Sequence, residues 1–238
     1  MPESITVVLV HGAFAESSSW NAVLTNLLGR GVDSFATPNP LRSVATDADN
    51  VRSAIAAVGG PVLLVGHSYG GAVITEAASG ADSVVGLVYV AAFAPQHGET
   101  SLQLTALFPG STLGETVRPI PLGDGSKDLI VDRELYLGQF AADVPPVEAR
   151  ISAATQRPVR DAALAEPQPA ETPAWSALPS WFVFGTADKN IPVEALRFMA
   201  QRAGALKTVE VPDASHSVMV SNPVAVADLI VGALAYLA

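Results

Sequence analysis

Short apolar runs and amphipathic stretches take turns along this chain. Runs rich in β-branched residues stand at 5 to 10 (ITVVLV), 32 to 36 (VDSFA), 61 to 66 (PVLLVG) and 83 to 91 (SVVGLVYVA), and each reads as a strand. Between them apolar residues recur at helical spacing. Trp20, Val23, Leu24, Leu27 and Leu28 form one stripe; Val51, Ala54, Ile55 and Val58 form another. After residue 175 the alternation resumes, with PSWFVFG at 179 to 185, a helix from about Pro192 to Ala203, LKTVEV at 206 to 211 and a last helix from about Pro223 to Leu237. Pro192 and Pro223 sit where a first helical turn tolerates proline. Strands apolar on both faces, alternating with helices, predict an α/β fold: a doubly wound, mostly parallel sheet of six strands covered by helices on both sides.

The alternation breaks once. Residues 92 to 178 are far more than one crossover helix requires, and they are rich in proline and turn residues, as in FPGSTLGETVRPIPLGDGSKD and EPQPAETPAW. Two weaker helical patterns lie around 99 to 107 and 132 to 155. With too few apolar residues for a core of its own, this stretch is expected to form a largely helical cap over the sheet edge where the strands end. The expected organisation is then a core of residues 1–94 and 176–238 with a cap at 95–175.

Composition narrows the function classes. Charged residues are only 15% of the chain and hydrophobic ones 49%, with no run of like charge, so the expectation is a folded globular protein. The net charge of -10, with no basic stripe, leaves nucleic-acid binding little to stand on. The absence of cysteine excludes disulfides and thiolate chemistry. At the N-terminus MPESITVVLV carries an acid where a signal peptide has a basic region, and its apolar run is too short for a membrane segment. A cytoplasmic protein with no membrane partner is expected.

The chemistry is concentrated at strand ends. Gly66-His67-Ser68-Tyr69-Gly70 is a G-x-S-x-G at the junction of a buried strand and a helix. A sharp turn there holds the serine in a strained conformation and lifts its hydroxyl clear of the sheet; the plainer reading is a serine that caps the helix. No Gly-Lys-Ser/Thr follows, so the segment is not a phosphate-binding loop. A nucleophilic serine needs a base. Of four histidines, His67 adjoins the serine, His11 ends the first strand and is expected to brace a loop, and His97 opens the insert. His216, in PDASHSV just past the last strand, falls at the edge where Ser68 emerges, and is the base candidate. The acid that fixes its tautomer is expected at Asp188 in GTADKNIP, with Asp213 as a rival whose place suits a turn. The position after the fourth strand is occupied by Ala91, Ala92 and Phe93, and offers none. The Tyr69 backbone N–H, and that of Ala13 in LVHGAF, are the candidate donors to an oxyanion.

LVHGAF with Trp20 downstream, LVGHSYGG, GTADKNIP and SHSVMVSNP together resemble the α/β-hydrolase superfamily over the whole chain. The resemblance is closest to the branch of plant methylesterases and hydroxynitrile lyases with their bacterial esterase relatives. It implies a sheet of order 2-1-3-4-5-6, Ser68 as nucleophile with Asp188 and His216, Ala13 and Tyr69 as oxyanion donors, and no metal or organic cofactor. Where the lyases of that branch carry lysine after the histidine and threonine after the first-strand histidine, this chain has Ser217 and Gly12, which argues against lyase chemistry.

The expected activity is hydrolysis of a small-molecule carboxylic ester through an acyl-enzyme. A non-catalytic receptor on the same scaffold, or a perhydrolase using the same triad, are the alternatives. Phe14, Val218 and Met219 beside the catalytic groups, and Phe108, Tyr136, Phe140 and Trp175 from the insert, are the expected lining of an apolar pocket. Of the basic residues, Arg118, Lys127, Arg133 and Arg157 in the insert are placed where they could reach it.

Overall fold

The computed structural model describes residues 4–238. The first half of the chain winds β1 (Thr6–Val10), α1 (Asn21–Gly29), β2 (Ser34–Thr37), α2 (Val44–Val58), β3 (Val62–His67), α3 (Tyr69–Ala78) and β4 (Val84–Val90). Each expected strand is present, with ends shifted by a residue or two. Helix α2 starts where the Ser43 side chain accepts from the Thr46 N–H, and stops at Gly59 in the left-handed conformation.

Between β4 and the next core strand the chain forms α4 (Ser101–Ala106), α5 (Leu113–Thr116), β5 (Val117–Pro121), β6 (Lys127–Val131), α6 (Tyr136–Phe140), α7 (Pro146–Thr155), β7 (Val159–Arg160) and α8 (Asp161–Ala165). Helices α4, α6 and α7 fall within the expected patterns at 99 to 107 and 132 to 155, whereas the short α5 and α8 lie outside them, and a three-stranded antiparallel sheet, β5-β6-β7, joins them. Pro119 and Pro121 hid its first strand from the sequence. They are tolerated because β5 is an edge strand, pairing only with β6.

The core then closes with β8 (Ser180–Gly185), α9 (Val193–Arg202), β9 (Lys207–Val211), α10 (Val218–Ser221) and α11 (Pro223–Leu237). The main sheet is parallel throughout, in the order β2-β1-β3-β4-β8-β9. Its four central strands are almost wholly buried, as their continuous apolar runs require, whereas the outer β2 is buried only at Ser34 and Thr37 and no residue of β9 is fully buried. The register sets Val10 beside Gly66, Gly66 beside Tyr89 and Tyr89 beside Phe182, so these strands end together at one edge.

The inserted segment is tied to the core by polar contacts. Arg42 pairs with Asp128 at 2.7 Å and donates to Pro158 O, while Arg202 pairs with Glu99 at 2.7 Å. No helix among the described residues is long and apolar enough to cross a membrane.

Candidate active site

Ser68 sits at the turn from β3 into α3 with φ 54° and ψ -123°, a conformation that L-residues rarely adopt. The turn closes only because its flanks lack side chains: a Cβ on Gly66 would lie 2.6 Å from Gly70 O. Although Ser68 occupies the N-cap position of α3, its hydroxyl makes no capping bond. The plainer reading of the serine is therefore not what holds this helix.

The loop after β1 lies directly against the serine. A Cβ on Gly12 would meet Ser68 Cβ at 2.6 Å and the Tyr69 nitrogen at 3.2 Å. Among the described residues, neither the Ala13 nor the Tyr69 backbone N–H donates to a protein acceptor. His11 braces this loop, as expected. Its Nδ1 donates to Gly12 O at 2.9 Å, while its Nε2 accepts from the Asn39 N–H at 3.0 Å, an arrangement that keeps the ring neutral. Burial also holds its pKa below the ordinary imidazole value.

Past β8 and β9 the other two groups meet. His216 Nδ1 donates to Asp188 Oδ2 at 2.6 Å, with both side chains buried. Asp188 Oδ1 accepts the backbone N–H groups of Asn190 at 2.7 Å and Ile191 at 3.0 Å, so the carboxylate is held at both oxygens. A carboxylate is an acceptor, which puts the imidazole proton on Nδ1 and leaves Nε2 a bare lone pair; that nitrogen has no hydrogen-bond partner among the described residues. Asp213, the rival acid, is exposed in a turn with φ 60°. His97 is exposed too, with its Nδ1 near Pro169 O.

His67 is buried beneath this pair, and its Nε2 donates to the backbone carbonyl of His216 at 3.1 Å. Burial, then the neighbouring His216, keeps its pKa well below the ordinary imidazole value.

The inserted α6 touches both loops. The carbonyl of Phe140 accepts from the Ser217 N–H at 3.1 Å and the Ser217 hydroxyl at 2.9 Å, while its ring meets that of His216 edge-on at 4.8 Å. Gln139 Nε2 donates to Lys189 O and to Asn190 Oδ1, beside Asp188. Sequence reasoning passed over Gln139 and treated Ser217 only as a departure from relatives. A glutamine in a weak helical pattern carries no signal of such a contact.

Ser68, His216 and Ala13 open onto one cavity of about 510 Å³. Phe14, Phe108 and Phe140 line it, and among the described residues no Asp, Glu, Lys or Arg does. Four expected lining residues lie elsewhere. Tyr136 stacks behind Phe140, with its hydroxyl bonded to Phe14 O. Trp175 anchors a turn to Pro95 O and packs under Arg202. Val218 and Met219 begin α10 and are buried in the core. Arg118, Lys127, Arg133 and Arg157, expected within reach of the cavity, do not line it; Arg118 pairs with Asp132 and Arg157 with Glu16. The Tyr69 ring is buried, and its hydroxyl donates to Asp47 Oδ2 at 3.0 Å. Among the described residues no three His, Cys, Asp or Glu side chains gather into a metal-binding group.

A family model described as "Alpha/beta hydrolase family" matches residues 7–229. None of the curated proteins compared with the chain matches it. Among solved structures the chain is similar to polyneuridine aldehyde esterase, with a TM-score of 0.82 at 18% identity over 97% of this chain and 99% of that one. It is also similar to a methylesterase from Arabidopsis, at 0.80 and 18% over 98% and 99%. A pyrethroid hydrolase from Sphingobium faniae JZ-2 gives 0.73 and 23% over 98% of both chains.

Proposed function

The chain belongs to the alpha/beta hydrolase family, and from that premise we propose that it is a serine esterase acting on neutral, largely apolar carboxylic esters. One observation carries the reading. An uncapped serine on a strained turn shares a cavity wall with a histidine whose Nδ1 is committed to a buried carboxylate and whose Nε2 is unengaged. The solved structures of the same fold include named esterases and hydrolases, which supports it.

In this mechanism the Ser68 hydroxyl attacks the ester carbonyl as His216 Nε2 takes its proton. Asp188 stabilises the resulting imidazolium, and the Ala13 and Tyr69 N–H groups hold the oxyanion. Collapse of the tetrahedral intermediate breaks the bond to the alkoxy oxygen, which leaves with the proton from His216. Water then attacks the acyl-serine by the same route and regenerates Ser68. Residues 95–175 act as the cap that closes the apolar pocket over this site.

A panel of esters varied in acyl and alcohol size tests the reading, with Ser68→Ala as control. Turnover should fall on the order of 10⁴-fold or more in the variant. Retention of most of the rate would overturn the nucleophile assignment, and ligand-induced stabilisation with no turnover of any ester would favour the receptor reading.

A further inference from the structure

Two residues that line the 510 Å³ cavity each hold a buried side-chain nitrogen that lacks a hydrogen-bond partner among the described residues: His216 Nε2 and Asn190 Nδ2. The proposed mechanism uses the first and leaves the second idle. A buried amide donor without a partner is costly, and native structures keep few of them, so this one calls for an acceptor.

The side-chain network fixes which end of the Asn190 amide is unengaged. Gln139 Nε2 lies 2.9 Å from Lys189 O, a carbonyl that can only accept, so this Gln139 atom is the nitrogen. The same nitrogen lies 2.7 Å from the Asn190 side chain, whose near atom must therefore be the oxygen. The other end of Gln139 is held as well, since its Oε1 accepts from Thr112 Oγ1 at 2.8 Å. Along the Asn190 backbone, the N–H donates to Asp188 Oδ1 at 2.7 Å and the carbonyl accepts from Ser111 Oγ at 2.8 Å. Every polar atom of Asn190 is engaged except Nδ2.

Two hydroxyls of the wall are occupied by their neighbours. Thr105 Oγ1 donates to Ser101 O, and Ser111 Oγ to Asn190 O. With no charged side chain present, the cavity offers a largely apolar surface with a donor set in it, two residues along the chain from the acid. That combination selects a ligand by one well-placed oxygen.

We propose that Asn190 Nδ2 is the specificity donor of this cavity. It donates to an acceptor oxygen that the substrate carries beyond its scissile carbonyl. The preferred substrates are then neutral apolar esters bearing a second keto, ether or hydroxyl oxygen, and the reading of the site as an esterase supplies only the ester in that description.

The test measures binding separately from turnover. In the Ser68→Ala protein, affinities are measured by calorimetry for methyl octanoate and for its 4-, 5-, 6- and 7-oxo analogues, which carry one acceptor stepwise along an otherwise apolar chain. At least one oxo ester should bind about tenfold or more tightly than methyl octanoate, because a site with an unpaired donor discriminates against the analogue that lacks the acceptor. Adding Asn190→Leu, or Asn190→Ala should the leucine variant fail to fold, should bring the oxo ester down to the affinity of methyl octanoate. Equal affinities across the series in the Ser68→Ala protein, no binding of any oxo ester, or a preference that survives both Asn190 variants would overturn the proposal. The same esters given to the unsubstituted protein separate the two readings. A binding preference without hydrolysis keeps the Asn190 assignment and removes the esterase, whereas hydrolysis without a binding preference does the reverse.

Discussion

Gly12 shows how tightly residue identity is set at this site. Any side chain there must displace either the backbone of His67 or Ser68 itself, since a Cβ would stand 2.6 Å from both His67 O and Ser68 Cβ. Gly12→Ala should therefore lower kcat on a short aryl ester by on the order of 10²-fold, the scale of losing one oxyanion donor. Steady-state kinetics beside a thermal melt would separate that loss from unfolding, and an unchanged kcat would remove this loop from the chemistry.

His67 gives a pH-dependent prediction. Folded, it stays neutral well below the ordinary imidazole range, because burial penalises its charged form. The unfolded chain takes up that proton near pH ~6.5. Acidification through this value thus favours the unfolded state, and stability falls by up to about 1.4 kcal/mol per pH unit for the one proton. His67→Gln keeps a donor for the His216 carbonyl and should flatten the slope measured by urea unfolding between pH 6.5 and 5 by as much as that amount. His11, whose pKa is also lowered by burial, should leave part of the slope behind. An identical slope in both proteins would contradict the neutral, buried His67.

At this scale much was legible in the sequence. Ser68, Asp188 and His216 stand out because each follows a strand that ends at the same edge. Asn190 and Gln139 did not, because which buried amide finds a partner depends on contacts across 51 positions of chain.

Among the elements, the strands were plain because buried parallel strands must be continuously apolar, and four of them are. The small sheet β5-β6-β7 was not, since its first strand carries two prolines and is exposed at four of its five residues. Helix α6 is the element whose importance only the fold reveals. In a single turn and a half it reaches the acid loop through Gln139 and the histidine loop through Phe140. Gln139→Leu preserves bulk and Lys189 O keeps the Thr112 N–H, but Asn190 Oδ1 loses its donor, at a cost of about 1–3 kcal/mol for the acceptor left unpaired. If α6 positions the acid and the base, kcat should fall about tenfold or more with KM nearly unchanged. A variant that loses stability but keeps kcat would confine α6 to holding the insert in place.

For the molecule as a whole, charge and cavity point the same way. A chain of net charge -10 surrounds a cavity without any charged side chain, so an anionic substrate meets long-range repulsion first and an uncompensated desolvation cost afterwards. Dimethyl and monomethyl esters of the same medium-chain dicarboxylic acid make the comparison. kcat/KM should be on the order of 10²-fold or more lower for the monoester, and near-equal values would mean that the cavity admits charge. Composition had disfavoured nucleic-acid partners, but the volume and neutrality of the cavity come from how the insert folds over the sheet edge.

Reaction with a fluorophosphonate, followed by intact mass and peptide mapping, tests the central claim most directly. The account predicts one adduct per chain, on Ser68. It should be absent in Ser68→Ala and form on the order of 10²-fold or more slowly in His216→Ala, where the base is gone. An unreactive protein, an adduct on another residue, or labelling of His216→Ala at the unsubstituted rate would contradict it.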